Sequence, residues 1–280
     1  MIGVLLATFT ACTWGSISVL EARVSRALGG PTAVAWIFGF GLLVALPIAL
    51  IHGIPDASRS AWLWTLVASF GSLAGLVLMF TALQHGRVGL VTATISSQGA
   101  FATVYAAFAG ESLHLLSYLA IAVSAAGTFV LIGAGGSIAP PRERRGILLA
   151  LGAASLTGLS LYAASRGGSG VGADWVVACV RISSVLFVLV PLAATRRLRS
   201  PRGVIVPTMI SGVGEVAAFG AYIAASDRIG VAVPAVIASQ FALIAATVGW
   251  FVLGERLGPR QFAGAGAILA GVTALTILQA

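Results

Sequence analysis

Ten uninterrupted apolar stretches dominate this chain, running over 2–22, 32–51, 61–84, 88–109, 114–134, 146–165, 173–195, 203–226, 230–253 and 260–279. Each is about 20 residues long, and at 1.5 Å rise per residue a helix of that length crosses the ~30 Å hydrocarbon layer of a bilayer. Composition excludes the soluble alternative. The 280 residues are 59% hydrophobic and 9% charged, with a mean hydropathy of +1.04, whereas a soluble domain carries about a quarter charged residues. No core of this size can hold so much apolar surface, but lipid can cover it. Transmembrane barrels show short alternating segments rather than continuous runs. The expected fold class is therefore an all-α integral membrane protein with ten transmembrane helices.

The net charge is +8 and every one of the 16 basic residues is Arg. In a soluble chain such a balance would suggest nucleic acid. Here the arginines sit between apolar stretches, so they read as topology signals and contacts to anionic lipid headgroups. Loops after the odd-numbered stretches hold 12 arginines: Arg23, Arg26, Arg87, Arg142, Arg144, Arg145, Arg196, Arg197, Arg199, Arg202, Arg256 and Arg260. The alternate loops hold only Arg59, Arg166 and Arg228. The positive-inside rule then puts the first set in the cytoplasm and both termini outside. A reporter active only in the cytoplasm is expected to stay silent at either terminus; a signal there would overturn this orientation.

Linkers are short, as at His85-Gly86-Arg87 and Asp227-Arg228, so consecutive helices are expected to be antiparallel neighbours with no extramembrane domain. The longest polar linker, containing Pro140-Pro141-Arg142-Glu143-Arg144-Arg145, falls near the midpoint, where an internal repeat emerges. Gly3-Val4-Leu5-Leu6-Ala7 echoes Gly146-Ile147-Leu148-Leu149-Ala150, and Trp36 echoes Trp175. Arg87-Val88-Gly89 echoes Arg228-Ile229-Gly230, Gly110-Glu111-Ser112-Leu113 echoes Gly254-Glu255-Arg256-Leu257, and Gly127 echoes Gly271. The expected organisation is a first five-helix repeat over 1–136, a linker over 137–145 and a second repeat over 146–280. Because five is odd, the second half enters from the opposite side. That inverted repeat lets one central site face each side in turn.

With these residues in place, the chain resembles the EamA-like ten-helix members of the drug/metabolite transporter superfamily along essentially its whole length. The carrying motifs are Ala11-Cys12-Thr13-Trp14-Gly15-Ser16 and the two Gly-Glu-x-Leu turns at Gly110 and Gly254, each with a Gly sixteen positions after its Glu. The resemblance implies an exporter of amino acids or other small metabolites with a central cavity between the halves. It also implies structural roles for Glu111 and Glu255. One departure is that Leu156-Thr157-Gly158 stands where the first half has Thr13-Trp14-Gly15, so any role of that Trp is one-sided.

Charges deep in a membrane are the informative residues, since each is costly unless paired or hydrated. Glu215 lies about twelve residues into the eighth stretch and Arg181 about seven into the seventh. In antiparallel neighbours their depths differ by roughly 6 Å, within reach of an Arg side chain. The functional reading is a clamp for a zwitterion, with Arg181 taking a carboxylate and Glu215 an ammonium group or a coupling proton. The structural reading is an ion pair joining the two helices. Trp14, Tyr105, Tyr162, Tyr222 and Phe241 are candidates to line the cavity, against a plain packing role. Gln98 and Gln240, in matched Ser-Gln contexts, suit either the cavity or an interhelical hydrogen bond. Glu21 reads as interfacial, at the end of the first helix, and Asp174 as a helix N-cap.

Other functions are disfavoured. No nucleotide-binding motif, nucleophile elbow or zinc motif is present, and His52, His85 and His114 are scattered at loop edges. Cys12 and Cys179 lie singly in apolar stretches and make neither a disulfide framework nor a metal site. The expected protein is neither an enzyme nor cofactor-dependent. Its expected place is the bacterial inner membrane, multi-pass, as a secondary transporter. Its expected partners are a small-molecule substrate, lipids and a coupling proton, with monomer and homodimer both open. An efflux carrier holding an organic cation on Glu215 is the alternative.

Overall fold

The computed structural model describes residues 1–109, 141–229 and 232–253, together with Val123, Ala126, Pro259, Ala263, Gly266, Ala267 and Ala270. The stretches 114–134 and 260–279 lie almost wholly outside the described residues, as do both Gly-Glu-x-Leu turns. Gly127 and Gly271 lie outside them too.

The described residues are mostly helical, with no strand among them. They form α1 (Ile2–Leu28), α2 (Gly30–His52), α3 (Arg59–His85), α4 (Val88–Ile95), α5 (Gln98–Phe108) and α6 (Pro141–Val171). Next come α7 (Ala173–Ser184), a π-helical turn over Val185–Leu189 and α8 (Val190–Ala194). The last three are α9 (Ile205–Ile229), α10 (Ala232–Ser239) and α11 (Phe241–Leu253). Among the described residues six helical segments are long and apolar enough to cross a membrane: Ile2–Leu28, Gly30–His52, Arg59–His85, Arg142–Val171, Ala173–Ala194 and Ile205–Ile229. Large apolar side chains such as Leu43, Leu63 and Phe187 stand more than half exposed on them, as lipid-facing positions do.

Several boundaries differ from the sequence reading for physical reasons. α1 continues six residues past 22, through Arg23, Ser25 and Arg26, because protein satisfies polar groups there. Ser25 Oγ donates to the Ala22 carbonyl at 3.1 Å. Arg26 donates through Nε to the Leu83 carbonyl at 3.2 Å and through Nη2 to the Gly86 carbonyl at 3.3 Å. α6 begins at Pro141, so Arg142 to Arg145 are helical; a proline in a first turn has no amide to waste. Glu143, 5% exposed, pairs there with Arg87 at 3.3 Å. The fourth and ninth stretches, read as continuous, are each two helices, broken at Ser96–Ser97 and at Gln240.

The packing joins the two halves. α1 lies against α9, α10 and α11, while α6 lies against α3, α4 and α5. Matching hydrogen bonds tie the two long contacts: Thr10 Oγ1 to the Ala218 carbonyl at 3.0 Å, and Ser160 Oγ to the Ala68 carbonyl at 2.8 Å. Matching glycines permit the two short ones. A Cβ on Gly15 of α1 would sit 2.9 Å from the Phe241 carbonyl oxygen, and one on Gly158 of α6 would sit 2.6 Å from the Gln98 carbonyl oxygen. Gly29 and Gly172, which end α1 and α6, share φ 90° and ψ 150°, a conformation that L side chains rarely adopt. Positions 143 residues apart thus carry the same backbone duty, and each half's first helix is bedded on the other half's third and fourth stretches.

Polar contacts also tie helix ends. The Trp175 indole Nε1 donates to the Gly53 carbonyl at 2.6 Å, and His52 Nδ1 lies 3.0 Å from Asp174 Oδ2. Trp175→Phe keeps the ring and removes the donor. It is expected to cost about 1 kcal/mol, read as a melting temperature lower by a few degrees in detergent. An unchanged melting temperature would show that this bond contributes nothing.

Candidate functional site

The face of α1 at positions 14, 18 and 21 follows helical i, i+4, i+7 spacing, and it lines a cavity between the halves. Trp14, Ser18 and Glu21 come from α1, Ser72, Leu76 and Met79 from α3, and Ile95 and Gln98 from the α4–α5 break. Thr157, Ser160 and Leu161 come from α6, Arg181 from α7, Glu215 and Phe219 from α9, and Phe241 from α11. The cavity volume is about 60 Å³, below the range of small-molecule sites, so an occupant of amino-acid size requires the lining to part. Three of the four lining hydroxyls bond backbone carbonyls: Ser18 Oγ donates to the Trp14 carbonyl at 2.7 Å, Thr157 Oγ1 to the Ala153 carbonyl at 2.8 Å and Ser160 Oγ to the Ala68 carbonyl of α3 at 2.8 Å. The chemistry therefore falls to the charged groups.

Arg181 is 1% exposed and Glu215 8%. Arg181 Nη2 donates to Glu215 Oε2 at 3.4 Å, long for a charge-assisted bond. The guanidinium lies over the Phe38 ring, its central carbon 3.9 Å from the centroid, so a cation–π contact covers one face. Arg181 Nε and Nη1 are buried and have no hydrogen-bond partner among the described residues. Glycine makes room for this: a Cβ on Gly41 of α2 would sit 3.1 Å from the Gly212 carbonyl oxygen and 3.4 Å from Arg181 Cδ. A buried guanidinium normally uses most of its five donors. Here three N–H groups, one on Nε and two on Nη1, have no partner among the described residues.

Glu21 corrects the sequence reading. Far from interfacial, it is 1% exposed, lines the cavity and interacts with both Glu215 and Arg181. Its neighbours Arg23 and Arg26 made the segment resemble a helix end. The signal that finds it is spacing, since it lies seven residues after Trp14 on one face of a helix that has not yet ended.

The helix breaks bring backbone to the same place. Ser96 Oγ donates to the Ala93 carbonyl and Ser97 Oγ to the Thr94 carbonyl, both at 2.7 Å, capping the end of α4. Gln98 opens α5 and faces the cavity, 7% exposed. At the second break Gln240 N donates to the Ile237 carbonyl at 3.2 Å, and Phe241 opens α11 against the cavity. Non-helical backbone at membrane depth is tolerated where it is buried or lines a cavity.

Of the residues singled out from sequence, Trp14, Gln98, Arg181, Glu215 and Phe241 line the cavity. The other four are elsewhere. Tyr222 is fully buried with its ring 6.2 Å from that of Trp14, and so backs it. Tyr162 packs edge-on to Trp64 at 5.7 Å, and its hydroxyl has no partner among the described residues. The Tyr105 hydroxyl lies 2.8 Å from Ser155 Oγ and ties α5 to α6. Gln240 sits in its turn between α10 and α11 rather than on the lining. No group of three or more potential metal ligands occurs among the described residues.

Comparison with known proteins gives the architecture a family. A solved crystal structure, described only as that of a protein, superposes with a TM-score of 0.68 at 17% identity, covering 99% of this chain and 96% of that one. At that identity the likeness speaks for the fold alone. No curated protein matches the chain. The family model for the EamA-like transporter family matches twice, over residues 1–133 and 144–277, one match for each repeat. The chain is a multi-pass membrane protein that belongs to the EamA-like transporter family, part of the drug/metabolite transporter superfamily.

Proposed function

We propose that the chain is a secondary active transporter, working as an exporter, of amino acids or closely similar small metabolites across the bacterial inner membrane. The observation that carries this reading is the buried Arg181–Glu215 pair, with three guanidinium N–H groups that have no partner among the described residues, beside a cavity drawn from both halves. Arg181 binds the substrate carboxylate and Glu215 its ammonium group; Trp14, Phe241 and Gln98 shape the space around them. The halves are inverted repeats, and α1 and α6, each bedded on the opposite half, carry the site from one side to the other. Ten helices and a 137–145 linker complete the arrangement.

A thermal-shift screen of the detergent-purified full chain against amino acids, nucleosides and organic cations tests this. An amino acid is expected to stabilise the wild type and to lose that effect in Glu215→Gln. Stabilisation by nucleosides alone, or equal stabilisation of the variant, would overturn the assignment. A second reading, efflux of an organic cation, is favoured by one observation: Glu21 adds a second buried carboxylate. In that case the stabilising ligands are cations without a carboxylate, and Arg181→Met leaves their effect intact.

A further inference from the structure

One guanidinium faces two carboxylates in this cavity. Glu21 is 1% exposed, its Oε1 has no hydrogen-bond partner among the described residues, and its carboxyl interacts with that of Glu215 across the α1–α9 contact. Arg181 reaches Glu215 through Nη2 and keeps Nε and Nη1 unpartnered. The other residues that line the cavity with this trio are uncharged, among them Ser72 and Met79 of α3, Gln98 of α5, Thr157 of α6 and Phe241 of α11. The nearest phenol, Tyr222, stands behind Trp14. With both carboxylates ionised the trio carries one negative charge in excess, deep in a membrane-spanning bundle, where an uncompensated charge is disfavoured. One further positive charge balances it. A proton supplies that charge, and so does an occupant of net charge +1. A zwitterion, whose own charges cancel, does not.

We propose that Glu21 and Glu215 form one two-carboxylate site that holds a single proton while the cavity is empty. A cationic amino acid displaces that proton: its carboxylate goes to Arg181 and its two cationic groups go to Glu21 and Glu215. The three ligand charges oppose the three protein charges, so the trio with its occupant, proton or ligand, is neutral in both states. On binding, the carboxyl O–H bond breaks and the proton passes to water on the side the cavity faces. On release the carboxylate takes a proton back. The transporter thus exchanges one cationic amino acid for one proton and moves no net charge within the site. This rests on the carrier reading of the same cavity and narrows its substrate class.

Infrared spectroscopy of the purified full chain tests the proton without any substrate. A neutral-carboxyl band is expected in the wild type at neutral pH and is expected to vanish in both Glu21→Gln and Glu215→Gln. Each variant leaves one carboxylate to one guanidinium, and charge balance then needs no proton. A band absent from the wild type, or surviving either substitution, overturns the shared proton while leaving the carrier reading to stand on its own screen. The ligand arm uses L-lysine against L-norleucine, which has the same chain without the terminal ammonium, with a pH dye in weakly buffered detergent. Lysine is expected to release about one proton per protein and norleucine none, and Glu21→Gln is expected to abolish the release. Equal release by both ligands, or none by lysine where the infrared band is present, overturns the substrate class.

Discussion

Arg181→Met is expected to abolish transport and to lower stability by about 3–5 kcal/mol, the usual cost of leaving a buried charge without its partner. Both carboxylates, Glu21 and Glu215, lose the cation they share at once, and the Phe38 ring loses the cation it covers. Stability alone does not distinguish a substrate clamp from a structural tie between α7 and α9. The triple variant Arg181→Met/Glu21→Gln/Glu215→Gln separates them. It removes all three buried charges, so thermal melting in detergent is expected to recover most of the loss. If Arg181 holds the substrate carboxylate, transport is not expected to return. Recovery of both activities together would assign the pair to structure and remove Arg181 from the site.

The second large effect is steric. Gly158→Leu prevents accumulation of folded protein, because the side chain must enter space held by backbone. A Cβ alone would lie 2.6 Å from the Gln98 carbonyl oxygen and 3.0 Å from the Ala102 amide nitrogen of α5. Neither atom can rotate away, so α6 and α5 must part. Gly158→Ala is the milder form, expected to cost about 1–3 kcal/mol as overpacking does. Gly15→Ala is expected to match it, since its Cβ would meet the Phe241 carbonyl oxygen and Ile244. Gly220 of α9 supplies the control: nothing lies within 4 Å of a Cβ there. Gly220→Ala is expected to be neutral or to stabilise by about 0.5–1 kcal/mol through helix propensity. Detergent-resistant fluorescence and melting temperature measure all four. Equal tolerance at Gly158 and Gly220 would mean that the first helices of the halves are not seated on the opposite breaks.

Hydropathy made the membrane class legible because it reports how long an apolar run is. It does not report whether the backbone hydrogen bonds continue along it. The fourth and ninth stretches are apolar for most of their length and have no Gly or Pro at the broken positions themselves, so Ser96–Ser97 and Gln240 passed as ordinary helix. Their matched Ser-Gln pairs stood out from the sequence only as candidate amides. The Arg181–Glu215 pair was legible for the opposite reason: ionisable groups far from any loop are rare enough in apolar helices to be found singly. Glu21 escaped because Arg23 and Arg26 follow it closely, and only the structure shows α1 running on to Leu28 with Arg26 spent on the Leu83 and Gly86 carbonyls. The tyrosines Tyr105, Tyr162 and Tyr222 are helical and apolar on one side, as cavity residues are. Whether such a ring faces the cavity or backs it depends on helix rotation, which a list of apolar positions does not fix.

Counterflow into proteoliposomes tests the central claim most directly. Vesicles containing the full chain are loaded with unlabelled amino acids and diluted into labelled ones. The account predicts a transient accumulation of label that saturates with concentration in the wild type and is lost in Arg181→Met. Flux that never exceeds equilibrium for any amino acid, or an overshoot that the variant retains in full, would contradict a carrier built around that buried charge.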